Sequence, residues 1–395
     1  MTPTEAAGLM AADTLPTARK AHAAPASSPA TSSGGRLWKN LKRLAIVNIR
    51  DRILVRKSLQ DFYKVLGGHI HFECLYAAIE LDLFTILKQN RRMTLEEIAR
   101  QVKLDEFACR VLMLGLVATN VVKKRGPYFS NTYLGDLALA TDSEFYLGNT
   151  VRWQHHIVYK PMFRLLESLQ QNRNVGLEEI SGTGDTLYER IAQHPHLEKI
   201  FQDSMEEISV VANKTLAEYL DLAAGESIVD VGGGKGANIL AVAAANPGIK
   251  AAVFDLPSVC AIANAKFAQA GMQNRLSAIP GNCFTDPFPP NHDAFLFCHF
   301  MCIWSKADNI ALLRKAFTAL KPGGRVVIFD IMQNDDERGP LAASMGSPYF
   351  LGLATGRGMI YKIKEYEDFC REAGFGSVIR RAMPGEHTAV MAFKA

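Results

Sequence analysis

The residues most able to do chemistry sit around Ser227-Ile-Val-Asp230-Val-Gly232-Gly-Gly234-Lys-Gly236-Ala-Asn238. A short β-prone run ends in an acid, glycines make a sharp turn, and Ile239 to Ala245 reads as a helix, so the segment predicts strand, glycine loop and helix N-terminus. Gly232, Gly234 and Ala237 fit a dinucleotide fingerprint, with Asp255 ending the next apolar run at the distance of a ribose-binding acid. Asp230 argues for another ligand. A carboxylate just before the turn repels a pyrophosphate on the following helix N-terminus and suits an ammonium or sulfonium. The pattern therefore favours S-adenosylmethionine over a nicotinamide dinucleotide. Four glycines exceed what a bare turn needs, and Lys235 is followed by Gly236 rather than Ser or Thr, so no triphosphate loop is expected.

The chain of 395 residues is long enough for two or three domains with a real core. No run of about 18 uncharged apolar residues occurs, so no membrane span is expected. The seven cysteines (74, 109, 260, 283, 298, 302, 370) include no Cys-x-x-Cys or zinc spacing. They read as reduced core thiols of a cytoplasmic protein without a metal site.

Residues 1–35 are rich in Ala, Ser, Thr and Pro and are expected to be a disordered tail, with neither a secretory signal nor the arginine content of a transit peptide. Residues 36–57 carry eight basic residues and one acid, a local charge of +7 in a chain of net charge +4. Leu37, Leu41 and Leu44 lie opposite Arg36, Lys39 and Arg43 on a helix, whereas Ile46, Ile49 and Ile53 form a second stripe, so a bend or break is expected near Ala45. Packing on its own domain with a solvated basic face is favoured over peripheral contact with an anionic membrane.

Residues 58–220 read as helical. Phe72 to Leu87 suggests one long buried helix. Thr94 with Glu97 forms a capping box for a helix to Val102, and Asp105 caps the next, to Thr119. Two short runs around Arg125-Gly126 then complete a winged-helix unit. A DNA-reading helix exposes Arg, Lys, Asn or Gln; Glu106 to Thr119 has Arg110 alone, so nucleic-acid binding is not expected. His155 and His156 point about 100° apart on a helix, which disfavours a shared metal ion; one of them lining a substrate pocket is the better reading. Ser181 to Asp185 reads as a flexible connection.

From Asp221 the texture becomes α/β, with strands at 227–231, 251–256, 276–280, 294–300, 325–331, 377–382 and 388–394. The last two are joined too tightly for a parallel crossover and must be antiparallel. Seven strands, mostly parallel, with an antiparallel hairpin at the end resemble the Rossmann-like class I methyltransferase sheet, and a ligand is expected at the carboxyl ends of the strands.

Residues 60–395 resemble the two-domain S-adenosylmethionine-dependent O-methyltransferases, a family that includes plant caffeate and flavonoid enzymes and bacterial antibiotic and pigment enzymes. The resemblance rests on Val229 to Gly236, Val253-Phe-Asp-Leu-Pro257, Gly281-Asn-Cys-Phe284, Trp304 with the following helix, and Lys321 to Ile328. It implies a homodimer built through the winged-helix domain (58–220), a catalytic domain (221–395), and an acceptor pocket between them. Carried across, it implies that Asp230, Gly232 and Gly234 hold the amino-acid part of the cofactor, Asp255 the ribose, and Leu256 the adenine. Asn282 takes the place of the family's adenine-contacting Asp, Cys283, Phe284 and Cys298 complete that set, and Met205 matches a methionine near the sulfonium. The family's basic histidine is replaced by Cys302, and the acid that orients it aligns with Ile360-Tyr361-Lys362, so it is missing too. His299, three residues before Cys302, is the candidate replacement base, against the alternative of a histidine supporting the pocket wall.

A phenol benefits from a base by about 10² to 10⁴ in rate, whereas an acidic hydroxyl or a nucleophilic ring carbon needs it less. Phe295 to Cys298 and Ser347 to Arg357 are similar to a bacteriochlorophyll C-methyltransferase, and carotenoid hydroxyl methyltransferases share the basic N-terminal helix. The expected acceptor is an apolar conjugated small molecule of bacterial secondary or pigment metabolism. O-methylation is favoured over C-methylation of a tetrapyrrole-like ring, and a catalytically retired scaffold is the third reading. The expected acceptor pocket comprises His155, His156, Tyr159, Met162, Phe163, His299, Cys302, Trp304, Met345 and Tyr349.

Overall fold

The computed structural model describes residues 33–395, which form two compact units divided after Leu66. The expected tail lies outside the described residues as far as residue 32. The first unit presents one helix, Ser33–Leu66. It is uninterrupted at Ala45 and runs past the expected end at Lys57, because no glycine or proline intervenes before Gly67. Its side chains at Leu37, Leu41 and Leu44 lie outside the described ones. Ile53, Leu59, Phe62 and Leu66 are exposed. Among the described residues no helix is long and apolar enough to cross a membrane.

The second unit begins with helices Gly68–Glu80 and Leu83–Asn90. These replace the expected single long helix: Asp82 takes a left-handed backbone at φ +51°, and the apolar periodicity continues across the break because both pieces bury the same core. Thr94 and Glu97 make the reciprocal capping bonds of Leu95–Val102, and Asp105 accepts from the Phe107 amide to start Glu106–Ala118. That last helix buries Cys109, Leu112, Met113 and Leu116. The hairpin of β2 (Val122–Arg125) and β3 (Tyr128–Asn131) is joined by β1 (Met93–Thr94), a two-residue strand too short to leave a periodic signal.

The main sheet contains β4 (Ser227–Val231), β5 (Lys250–Asp255), β6 (Leu276–Pro280), β7 (His292–Cys298), β8 (Leu320–Asp330), β9 (Ser377–Ala382) and β10 (Thr388–Phe393). Its order is β6-β5-β4-β7-β8-β10-β9, with β10 antiparallel to both neighbours and the other pairings parallel. The central strands are continuous apolar runs covered on both faces, as parallel sheets require. Asp230 is the last but one residue of β4, Asp255 and Asp330 end β5 and β8, and the chain order reverses between β4 and β7, where an open α/β sheet receives its ligand. β7 stops at Cys298 instead of residue 300: His299 has φ +50°, and Met301–Ile303 forms a short 3₁₀ turn.

The cysteines are all free; Cys74 and Cys283 are half-buried and the other five buried. Ser181 to Asp185 is not the loose connection its composition suggests. Gln193 exchanges hydrogen bonds with the Thr183 backbone at 2.7 and 3.1 Å, and Glu189 accepts from the Asp185 amide at 2.9 Å.

Candidate active site

Burial holds the glycine loop in place and leaves one position open. The Gly232 amide donates to Phe254 O on β5 at 2.9 Å, and a Cβ at Gly232, whose φ is +70°, would lie 2.4 Å from the Phe300 ring. A Cβ at Gly236 would meet Phe267 at 2.4 Å, whereas Gly234 faces open space. Gly232→Ala therefore incurs both left-handed strain and a steric clash, and about 2 kcal/mol of stability should be lost along with cofactor affinity. Thermal melts with and without S-adenosylhomocysteine check this; an unchanged ligand-induced shift would contradict it.

Asp230 is buried, its Oδ2 accepts from Asn238 Nδ2 at 3.1 Å, and its Oδ1 has no partner. Burial pushes this carboxyl up to about 7. Asp255 accepts from the Gly234 amide at 2.9 Å and the Leu256 amide at 2.7 Å, which ties the loop to β5, and burial raises its pKa as well. An orphaned buried carboxylate, a second acid and an open glycine cradle suit a cationic ligand bearing hydroxyls, and oppose a pyrophosphate. Leu256 (49 % exposed) and Phe284 (41 %) are exposed apolar side chains in the segments that follow β5 and β6. Asn282 Oδ1 accepts from the Phe284 amide at 2.9 Å, so the loop's own backbone uses that oxygen. Burial pushes the Cys283 thiol up to about 11. Cys298 is buried under the influence of Asp230 and Asp330, and Met205 is half-buried on the helix Pro195–Tyr219.

The expected acceptor residues do not form one group. His155, His156 and Tyr159 meet Tyr76 and Phe72 on the helix Gly68–Glu80. His155 donates from Nδ1 to Glu73 at 3.2 Å and stacks on Tyr76 at 3.6 Å, and the Tyr76 hydroxyl is hydrogen-bonded to His156 Nε2 at 3.2 Å. Burial, then His155 and His196, lowers the basicity of His156. Phe163 touches Tyr159 but is 75 % exposed. Tyr349 and Cys302 lie in a different, buried cluster with Trp153 and Tyr188, where the helical segment packs on the sheet end. The Tyr349 ring meets Trp153 edge-on at 5.3 Å, and its hydroxyl is paired with that of Tyr188.

Met162 packs beneath Gly352 and Met345 is exposed. Trp304 sits edge-on to Phe284 at 4.7 Å, on the cofactor side. His299 does not face Cys302's cluster with its Nε2: that nitrogen is 2.9 Å from His387 Nε2, and burial pushes its pKa down to about 3. The Cys302 thiol is buried and raised well above the usual range, so it is no base.

Sequence reasoning missed Asp330, Tyr188 and Glu207. Asp330 carried the signal of Asp230 and Asp255, an acid closing an apolar strand; the tyrosine carried none. Glu207, on the helix that bears Met205, accepts from the Asn149 and Thr150 amides at 3.0 and 2.8 Å and so caps the helix Gly148–Trp153 leading to His155 and His156. Glu207→Ala should cost about 1 to 2 kcal/mol in a denaturant melt, the usual value of a cap; a melt within error of wild type would refute the capping role.

Residues 163–376 match the family model described as the O-methyltransferase domain, and residues 63–141 match the O-methyltransferase dimerisation domain. The chain belongs to the O-methyltransferase family. It is 38% identical to an L-tyrosine C(3)-methyltransferase of Streptomyces lavendulae, over 79% of this chain and 85% of that protein. It is 28% identical to a 3-hydroxy-5-methyl-1-naphthoate 3-O-methyltransferase of Streptomyces sahachiroi, over 82% and 92% of the two chains. Among solved structures, the apo form of the S-adenosylmethionine-dependent methyltransferase SibL superposes with a TM-score of 0.76 at 34% identity, covering 84% of this chain and 98% of that one. This methyltransferase thus combines the family's sheet, glycine loop and dimerisation domain with a cysteine at the position where a histidine base is expected.

Proposed function

We propose that this chain is an S-adenosylmethionine-dependent methyltransferase of bacterial secondary metabolism, acting as a homodimer on a small hydroxylated aromatic molecule and placing the methyl on the ring carbon beside the hydroxyl. The observation that carries the choice of carbon is the absence of an imidazole facing the acceptor cluster from the end of β7: Cys302 is a buried thiol and His299 is turned to His387. Among the relatives, the 38%-identical enzyme is named an L-tyrosine C(3)-methyltransferase. This reverses the preference for oxygen that the sequence alone supported.

S-adenosylmethionine, when bound, supplies an electrophilic methyl group on a sulfonium. The chain's own residues do the rest. Asp230 and the Gly232–Gly234 turn receive the amino-acid end, Asp255 the ribose, and Leu256, Asn282, Cys283 and Phe284 the adenine, with Met205 and Cys298 at the sulfur end. Trp153, Tyr349 and Cys302 wall the acceptor, and His155, His156 and Tyr159 line its approach. Alignment of nucleophile and methyl is the main contribution. O-transfer is the second reading, favoured by the His155–His156 pair beside the Tyr76 hydroxyl.

Calorimetric titration with S-adenosylmethionine and S-adenosylhomocysteine, for wild type and Asp255→Ala, tests the cofactor assignment. Mass spectrometry with L-tyrosine, hydroxynaphthoates, pyrroles and polyenes then tests the acceptor. Micromolar binding lost in the variant is expected, with a one-methyl mass gain that fragmentation assigns to a ring carbon. A methyl on oxygen would overturn carbon transfer, and no binding to wild type would overturn the whole reading.

A further inference from the structure

Asp330 is only 3 % exposed at the end of β8. Its Oδ1 accepts from the Ile331 amide at 2.8 Å, and its Oδ2 has no hydrogen-bond partner. A buried carboxylate oxygen left unpaired is costly, so its retention asks for a reason. The surrounding groups supply no strong donor. The Cys302 thiol is a weak donor to the carboxyl, Cys298 lies on the adjoining strand, and the Tyr366 hydroxyl, also buried and unpaired, feels its charge from the helix Ile363–Glu372.

The position is informative as well. Cys302 packs with Trp153, Tyr188 and Tyr349 where the helical segment closes over the sheet, while Cys298 lies between the influence of Asp330 and that of Asp230 in the cofactor loop. Asp330 therefore stands between the cofactor end and the acceptor wall. Trp153 Nε1 in that wall is another buried group without a partner. A buried polar atom left unpaired beside an apolar wall marks where a ligand can bring its own polar group.

We propose that Asp330 Oδ2 receives the hydroxyl proton of the acceptor and so takes the role that a histidine at residue 302 would otherwise fill. The proposal rests on the methyltransferase reading above and deepens it by specifying a phenol. As the ring carbon beside the hydroxyl forms its bond to the methyl, the hydroxyl proton passes to Oδ2 and the electron pair of the broken sulfur–methyl bond stays on sulfur. Restoring aromaticity expels the ring proton to solvent, and Asp330 returns its proton to the oxygen. Burial supports this by pushing the Asp330 carboxyl up to about 7, near neutrality, where a group can both take and release a proton.

The test uses full-length protein saturated with S-adenosylhomocysteine and 4-nitrophenol as a chromogenic probe whose spectrum reports its proton. Wild type should bind the probe and shift its absorption toward the phenolate. Asp330→Asn, close to isosteric, should bind S-adenosylhomocysteine as wild type does, yet bind the probe about tenfold to a hundredfold more weakly and leave the spectrum unshifted. Asp330→Glu should restore part of the shift. A probe that does not bind wild type, or binds Asp330→Asn with the same affinity and spectrum, overturns the role of Asp330 alone. Failure of S-adenosylhomocysteine to bind wild type removes the methyltransferase reading beneath it.

Discussion

Asp230→Asn should make the cofactor-free protein more stable at pH 8 while removing most of its affinity for S-adenosylmethionine. Burial puts the Asp230 carboxyl at about 7, against an ordinary 3.8, because ionisation strands a charge with only Asn238 to solvate it. The protonated form is thus the one the fold prefers. Its contribution is fully present below pH 3.8 and is lost as the pH rises through 7, so above neutrality the ionised group costs on the order of 4 kcal/mol. An asparagine cannot ionise and avoids that cost. The same carboxylate is what a cationic ligand would neutralise, and losing a charged hydrogen bond is worth about 1.5 to 3 kcal/mol, or tenfold to over a hundredfold in affinity. Melting curves at pH 5 and pH 8 and calorimetry at pH 8 read both effects. A variant that gains nothing at pH 8 relative to pH 5, or that binds as tightly as wild type, would dismiss Asp230 as the strained half of the cofactor site. Asp330, also raised to about 7, slopes in the same direction, which makes Asp230→Asn informative only as a difference from wild type.

The sheet was legible because its strands are apolar runs bounded by glycine, proline and acids, and three of the expected ranges coincide with the observed ones. The capping boxes were legible for a local reason: Thr94 and Glu97 satisfy each other three residues apart, with no help from the rest of the fold. Periodicity misled where a core spans a break. Phe72 to Leu87 keeps one apolar face through Leu81 and Asp82, so the sequence showed the face but not the turn. The glycine loop and its acids could be read because each glycine answers a backbone demand. The acceptor side could not be read in this way. Which histidine meets which partner depends on contacts between segments far apart in the chain: His155 with Glu73, 82 residues away, and His299 with His387, 88 away. Strand alternation could not place His299, since β7 ends at Cys298 and the φ of +50° at His299 takes the side chain out of that alternation.

That pair supplies the second large effect, opposite in sign to the first. His387 Nδ1 lies 2.8 Å from Gly385 O, a pure acceptor, so Nδ1 carries the hydrogen and Nε2 offers a lone pair. His299 therefore donates its Nε2–H across 2.9 Å, and adding a proton to His387 Nε2 would set two N–H groups against each other. Both rings are held neutral. Burial and then His387 push His299 down to about 3 from an ordinary 6.5, and burial lowers His387 too. The pair's contribution is complete above pH 6.5 and is lost as the pH falls from there toward 3. His299→Asn tests this cleanly, because asparagine tolerates the left-handed backbone and does not titrate. At pH 8 the variant should be less stable by about 1 kcal/mol, the value of one hydrogen bond. Near pH 4.5 it should be more stable by about 2 kcal/mol net, since the two pKa units between 6.5 and 4.5 are worth about 1.4 kcal/mol each and the lost hydrogen bond takes back about 1. The two stability curves should therefore cross on acidification. Parallel curves would mean that the His299 ring is solvated and free to charge, and would return it to consideration as a base.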